Sequence, residues 1–424
     1  MKRAIIIALI CVASFAAFGQ RLASEGWADF VPASDRHLAF GIRSAGMGGA
    51  GVAITEDYTS LFYNPANLAY IYRFEVAGAL QYDALSYDSR LDGKLAGTGS
   101  DSYVKLQNLG GVIPVPTEQG GLAFGIGFVR TNSFDRRLRA EAIGDDGLSY
   151  KIDESVRGGL GKFSIGGGVQ VSPIMSVGGA VEFYTGGERY SWFNDVQNPG
   201  GAHWPDTVER KIFADDITDG YAGIGARFGL SLVPNRFVQI GAYISTPTAL
   251  MIDEDGIQRF DSVTTGWIVY QEDYDIVQSF ELVLPWKFGG GIAVRPTSWL
   301  LFAGDAEYVD WRQIEYNKPA WILSQNRLMD DSFRATLRWS AGAEATIPVA
   351  ALRLRGGYSQ EPIAYLADGA DRTRNTISGG LGFLVSELIS LDLAAQFSDW
   401  DVDGTRLGGS YSLASIWMGM SYRF

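Results

Sequence analysis

Thiol chemistry is almost missing from this sequence: Cys11 is the only cysteine among 424 residues. It lies in the short apolar stretch Ala4 to Phe18, behind Lys2 and Arg3. With small residues at Ala17 and Gly19, residues 1–19 read as a cleaved secretory signal peptide. The exported remainder is then expected to carry no disulfide and no thiolate metal site. Histidine is nearly as scarce. His37 and His203 stand apart, so their surroundings offer neither a metal centre nor a Ser-His hydrolase, and no enzyme and no cofactor are expected. Positive charge is the third deficit, with 35 Lys and Arg against 48 Asp and Glu. Removing Lys2 and Arg3 takes the formal net charge from −13 to −15, which disfavours nucleic acid as a partner. Beyond the leader no run of about 18 apolar residues occurs, so no transmembrane helix is expected. An exported chain of this kind is either soluble or a β-barrel in an outer membrane.

Glycine and aromatic residues are what the chain has in excess: 53 Gly, and 13% Phe, Trp and Tyr, beside only 20% charge. That mixture suits many strands with close backbone approach. From Tyr72 onward short turns and long polar connections alternate. Proline marks five of the short turns, at Pro116, Pro173, Pro234, Pro296 and Pro348, and a sixth lies at Ser386-Glu387. Proline donates no ladder hydrogen bond and so sits at strand ends. The long connections are 86–102, 134–157, 193–216, 253–276, 313–332, 362–373 and 401–409. Their acidic runs, such as Asp253-Glu254-Asp255, read as solvated loops. Between the connections lie fourteen strands: 72–85, 103–116, 121–133, 158–172, 175–192, 217–233, 236–252, 277–295, 298–312, 333–347, 350–361, 374–386, 388–400 and 410–424. The expected fold is all-β, a 14-stranded antiparallel transmembrane barrel over 72–424 with an N-terminal plug over 20–71.

Alternation supports that reading over a secreted β-sandwich. In 333–347, Leu337, Trp339, Ala341 and Ala343 share one face, while Arg338, Ser340, Glu344 and Thr346 share the other. Leu391, Leu393 and Phe397 oppose Asp392, Gln396 and Ser398 in the same way, and Phe302 and Tyr308 oppose Asp305 and Glu307. Charge on the lipid side is costly, so the polar faces are expected to line the lumen. Trp286, Trp299, Trp311, Trp339 and Trp400 fall near strand ends, where an aromatic girdle belongs. The chain stops on Phe424, a terminal aromatic that resembles the signal read by barrel-insertion machinery.

The stretch Gly41 to Tyr70 has no place among the strands. Its Gly46 to Gly51, Ala53-Ile54, Glu56-Asp57, Ser60 and Asn64-Pro65-Ala66 resemble the plug of the long-chain fatty acid transporter family, FadL. Leu284-Pro285 through Trp311-Arg312-Gln313 resembles that family's central hairpin, and Leu354 to Tyr358 with Ile377 to Gly380 is similar as well. The resemblance implies a passive outer-membrane channel for fatty acids or hydrocarbons. In that family a hatch closes the lumen and ligands leave sideways beside a kinked third strand touched by the NPA segment. Gly125 and Gly127 would permit such a bend. The alternative on the same fold is a related shuttle that carries protein cargo for surface attachment, with a displaceable plug. A general diffusion porin leaves residues 20–71 without a role.

Candidate ligand contacts are Val52, Ile54, Leu61, Phe62 and Leu68, with Met47, in the plug, beside Asn64, Pro65 and Ala66. Asn64 also suits a turn cap, with Pro65 fixing the next residue. Among lumenal arginines Arg334, Arg338, Arg353 and Arg355, a ligand carboxylate would be met by paired hydrogen bonds. A two-residue turn at Pro348-Val349 would set Glu344 opposite Arg353, which leaves Arg338 as the stronger ligand candidate. Expected partners are a hydrophobic small molecule, outer-membrane lipid and lipopolysaccharide, and the insertion machinery at Phe424.

Overall fold

The computed structural model describes residues 39–54, 57–199, 209–264, 267–365, 372–402 and 407–424. The signal-peptide reading, both histidines and Glu56 lie outside them. Only an extended backbone puts alternate residues on opposite faces, and the period-two pattern accordingly becomes strand. The segments are β1 (Glu75–Leu91), β2 (Lys94–Val115), β3 (Leu122–Ser133), β4 (Arg136–Ile143), β5 (Ser149–Ser172), β6 (Met175–Gln197), β7 (Arg210–Asn235), β8 (Val238–Ser245) and β9 (Thr248–Thr264). They continue with β10 (Trp267–Leu284), β11 (Lys287–Thr297), β12 (Leu300–Asp310), β13 (Glu315–Lys318), β14 (Ala335–Ile347), β15 (Leu352–Pro362), β16 (Thr373–Leu384), β17 (Ile389–Val402) and β18 (Leu407–Arg423).

Each segment pairs antiparallel with its neighbours, and β1 pairs with β18 from Glu75↔Arg423 to Leu91↔Leu407, so the sheet closes on itself. Three barrel strands are interrupted. β3 passes to β4 at Phe134-Asp135, β8 to β9 at Thr246-Pro247, and β10 to β11 at Pro285-Trp286. Two of these breaks fall at a proline, which removes a ladder donor. β13 is a side piece joined to β10 at Glu281↔Lys318 and the two following pairs. Counting each interrupted strand once, the barrel has fourteen strands. Closure removes the edges an open sheet would present to lipid.

The wall has the expected two faces. Outward lie Leu80 and Tyr82 on β1, Phe302 and Tyr308 on β12, Leu337 and Trp339 on β14, Leu391 and Phe397 on β17, and Met418 and Met420 on β18, all exposed. Inward lie Gln81, Asp305, Glu307, Arg338, Glu344 and Gln396, all buried. Large apolar residues bare on the outside and charges hidden within invert the arrangement of a water-soluble protein. A membrane-spanning barrel requires that inversion.

Two expectations need correction. Much of the expected long connections is strand. β1 and β2 run on through 86–102 and turn only at Asp92-Gly93, where φ is 48° and 76°, as a two-residue hairpin turn demands. The outward residues Asp88 and Arg90 show why: pairing continues above the apolar belt once the outer face turns polar. The girdle is also smaller than expected. Trp286, Trp299 and Trp339 are exposed on the wall, but Trp311 is buried and Trp400 stacks on the buried Tyr411 at 5.6 Å. Nearness to a strand end does not settle which face a residue occupies.

The described residues of 39–71 supply no barrel strand. They form two single-turn helices, α1 (Ile42–Ala45) and α2 (Ser60–Tyr63), and a 3-10 helix over Pro65–Tyr70.

Candidate functional site

Small residues bring residues 39–71 against the inner wall. A Cβ on Gly178 would fall 2.4 Å from the carbonyl carbon of Pro65, and one on Gly357 would fall 2.2 Å from the amide of Gly48. Gly168 meets Pro65 similarly, Gly229 and Gly241 meet Asn64, Gly342 meets Met47, and Gly380 meets Gly46. Several of these glycines are direct cross-strand partners, as in Gly168↔Gly178, Gly178↔Gly229, Gly241↔Gly291 and Gly342↔Gly357. Much of the glycine excess is therefore a collar in the wall, bare of side chains where another backbone lies against it.

Hydrogen bonds complete the seat. The Asp305 carboxylate on β12 accepts the N–H of Gly51 at 2.5 Å and of Val52 at 2.9 Å. Ser378 accepts from Gly48, and Gln396 donates to the Ala45 carbonyl. Asn64 accepts from the Ala66 amide, which caps the 3-10 helix. Its amide group donates to the carbonyls of Val52 and Leu230. Tyr58 donates to Asn108 at 2.5 Å, and burial, reinforced by Asp57 and Glu75, raises its phenol well above the ordinary range. Arg43 holds Glu344 at 2.8 and 3.0 Å, and Arg355 bonds both Glu344 and Asp392.

On the long-hairpin side of this segment lies a buried polar layer. Lys162 on β5 and Arg227 on β7 both contact Glu182 on β6, at 2.8 and 3.1 Å. Arg227 lies over the Tyr243 ring at 4.3 Å, and the Tyr243 hydroxyl donates to Glu307. The Lys162 ammonium also faces the rings of Phe40 and Phe62. Beyond it, inward residues become apolar. Leu160, Tyr184, Leu250, Ile252, Phe280, Leu282, Leu284, Val309 and Trp311 form one cluster with Tyr316, Met329 and Phe333 from the segment that follows β12. Packed apolar side chains above a few fixed polar groups give this part of the interior the chemistry a hydrophobic ligand would match.

The ladder beside this interior is interrupted. β2 and β3 pair only from Asn108↔Val129 to Val115↔Leu122. Above Asn108, β2 remains paired to β1, while β3 shifts register against β5 between Arg130 and Asn132 and gives way to β4. The outward Val104 and Leu106 of β2 are exposed apolar residues, so this missing ladder lies within the apolar belt. Side chains bridge it: Gln107 donates to the Arg130 carbonyl at 2.9 Å, and Lys105 reaches Ser133.

The expected site residues distribute unevenly. Met47, Val52, Ile54, Leu61, Phe62 and Leu68 are all buried, packed in two clusters with wall residues such as Val112, Ala123 and Tyr243 or Ala293, Leu301 and Ala303. Asn64, Pro65 and Ala66 sit against β5 to β8, whereas Tyr58, Leu61 and Leu68 face Gly125 and Gly127 of β3. Pairing runs regularly through Gly125 and Gly127, and the irregularity of the third strand falls at Thr131. Arg338 is buried directly across from Glu307. The expected Glu344–Arg353 pairing is wrong. Pro348 to Ala351 form a four-residue turn, with Ala351 at φ 49°, so Glu344 lies across from Arg355 and Arg353 across from Thr346. Arg334 donates to the carbonyls of Ile363 and Arg372. Lys162, Glu182 and Arg227 escaped sequence reasoning. Their inward positions were readable from alternation, but only cross-strand register brings them together.

No family model matches the chain, and no curated protein matches it. Solved structures do. A Pseudomonas aeruginosa FadL homologue aligns at TM-score 0.63 and 13% identity, covering 90% of this chain and 97% of that one. The P. putida toluene transporter TodX aligns at TM-score 0.65 and 14% identity, over 91% and 99%. The Ralstonia pickettii toluene transporter TbuX aligns at TM-score 0.60 and 15% identity, over 93% and 100%. At such identities the likeness is one of fold. In fold, the chain is a FadL/TodX-like β-barrel of the outer-membrane type.

Proposed function

We propose that this chain is a passive channel for hydrophobic small molecules, in which residues 39–71 plug the lumen and cargo leaves sideways through the wall between β2 and β3. The carrying observation is the ladder that stops at Asn108↔Val129 inside the apolar belt. In lipid an unpaired strand edge is costly, so such a gap is retained only where it serves a purpose. The apolar cluster around Phe280, Leu282 and Trp311 supplies an entry site of matching chemistry. Ile54, Leu61, Phe62 and Leu68 then form the packed floor, and Asn64, Pro65 and Ala66 its support. That neighbours of the same fold are described as toluene transporters agrees with a cargo of this class.

The shuttle alternative needs a plug that leaves. Asp305, Ser378, Gln396 and the glycine collar hold this one on several sides, which favours the channel. The test is binding and uptake together. Purified protein should retain toluene or a long-chain fatty acid in native mass spectrometry. Cells bearing it in a lipopolysaccharide-containing outer membrane should take up the same compound faster than cells without it. Protein free of any hydrophobe, together with unchanged uptake, would sink the proposal.

A further inference from the structure

The gap above Asn108 is open in backbone terms but closed by side chains. The Lys105 ammonium, carried on β2, crosses to the opposite side. It forms an ion pair with Asp135, which lies in the break between β3 and β4. It also donates to the Ser133 hydroxyl at 3.1 Å and to the Gly158 carbonyl at 3.4 Å. Asp135 is itself positioned, accepting from Ser133 at 2.5 Å and from the Gly158 amide at 3.2 Å. Both partners are mostly hidden, their side chains 15% and 5% exposed. Immediately outside stand Val104 and Leu106 of the apolar belt.

We infer that Lys105 and Asp135 form a latch across the wall opening, and that its release sets the rate at which cargo leaves the lumen. This rests on the sideways route proposed above and deepens it. The physical reason lies in what replaces the ladder. A β-ladder repeats every two residues and opens only if a strand moves, whereas this seam is held by side chains. The lysine stem has four rotatable carbons, so its head can swing aside with the strands in place. A neutral hydrocarbon has nothing to offer either charge. Passage therefore has to wait for the pair to part and be resolvated, which is slower than diffusion through a permanent hole.

The test uses the full-length chain, whose only native cysteine is Cys11. Lys105→Cys with Asp135→Cys is oxidised to a disulfide in cells, and toluene uptake is measured before and after reductant. The latch predicts uptake near that of cells without the protein when oxidised, and recovery on reduction, with toluene still bound in native mass spectrometry throughout. Should the cysteine pair fail to assemble, Lys105→Met with Asp135→Asn serves instead. Removing both charges should raise uptake roughly fivefold, with the barrel still showing heat-modifiable migration. Uptake by the unaltered chain that neither the disulfide nor the charge removal changes overturns the latch and leaves the channel standing. An unaltered chain that takes up nothing overturns the channel, and the latch with it.

Discussion

Arg43, in the segment that packs against the inner wall, and Glu344, on β14, meet in a two-pronged ion pair, with Nε to Oε2 at 3.0 Å and Nη2 to Oε1 at 2.8 Å. Glu344 also takes Arg355 at 2.8 Å, so one carboxylate serves two guanidinium groups, one from the segment and one from the wall. Replacing Glu344 by Gln takes that carboxylate from both guanidinium groups and leaves Arg355 to Asp392, at 2.6 Å. The expected loss is roughly 3 kcal/mol, toward the lower end for a broken buried pair. The low figure reflects Arg43, whose side chain is 23% exposed and partly solvated. An unfolding midpoint in detergent equal to that of the parent would contradict this. In planar bilayers the same variant should show a noisier, larger conductance, because residues 39–71 lose a tether.

The collar makes a sharper comparison, between adjacent glycines. A Cβ on Gly357 meets the Gly48 amide at 2.2 Å, while one on Gly356 meets nothing within 4 Å. Gly357→Ala should therefore cost roughly 1–3 kcal/mol by overpacking, and Gly356→Ala close to nothing. Limited proteolysis offers a second readout. Cleavage within 39–71 should quicken in the first variant alone, and equal rates in both would remove the collar from the account.

Hydrophobe binding should depend on the apolar cluster. Phe280 and Leu282 are fully buried there, on the inward face of β10. Truncating Phe280 to Ala removes apolar contact of a kind generally worth roughly 1–3 kcal/mol to a bound hydrophobe. Toluene affinity is expected to fall about tenfold or more, measured by titration calorimetry. An unchanged dissociation constant would place the ligand elsewhere in the lumen.

Arg338 offers a way to separate two cargo classes. It lies across from Glu307, so Arg338→Gln removes a lumenal cation without adding bulk. If this residue holds a ligand carboxylate, fatty-acid binding should weaken by the roughly 1.5–3 kcal/mol of a charged hydrogen bond, while toluene binding stays as it was. Equal weakening of both ligands would point to disturbed packing and remove Arg338 as a carboxylate contact.

Much of this protein was decided locally. Period-two alternation in stretches such as Ala335 to Ile347 leaves one conformation that hides the charges and presents the apolar set to lipid. Proline at Pro173 and Pro348 cannot continue a ladder, so strand ends follow without reference to the rest of the chain. Asn64-Pro65-Ala66 likewise carries its own turn chemistry, and the structure shows the cap. These are short-range effects, and short-range effects are legible in a string of residues.

Register is not local, and register made the interior. Two extra residues in the turn after Ile347 moved Glu344 from Arg353 to Arg355, and no alternation pattern distinguishes those outcomes because both arginines face inward. The same dependence on cross-strand offset brings Lys162, Glu182 and Arg227 together from three strands. It also lines up glycines from distant parts of the chain into one collar. Sequence alone determined that this chain closes into a barrel with an apolar outside, since each strand's pattern demands it. Only the tertiary structure decided where the wall stops pairing and which charges meet. Both depend on how far each strand slides against the next.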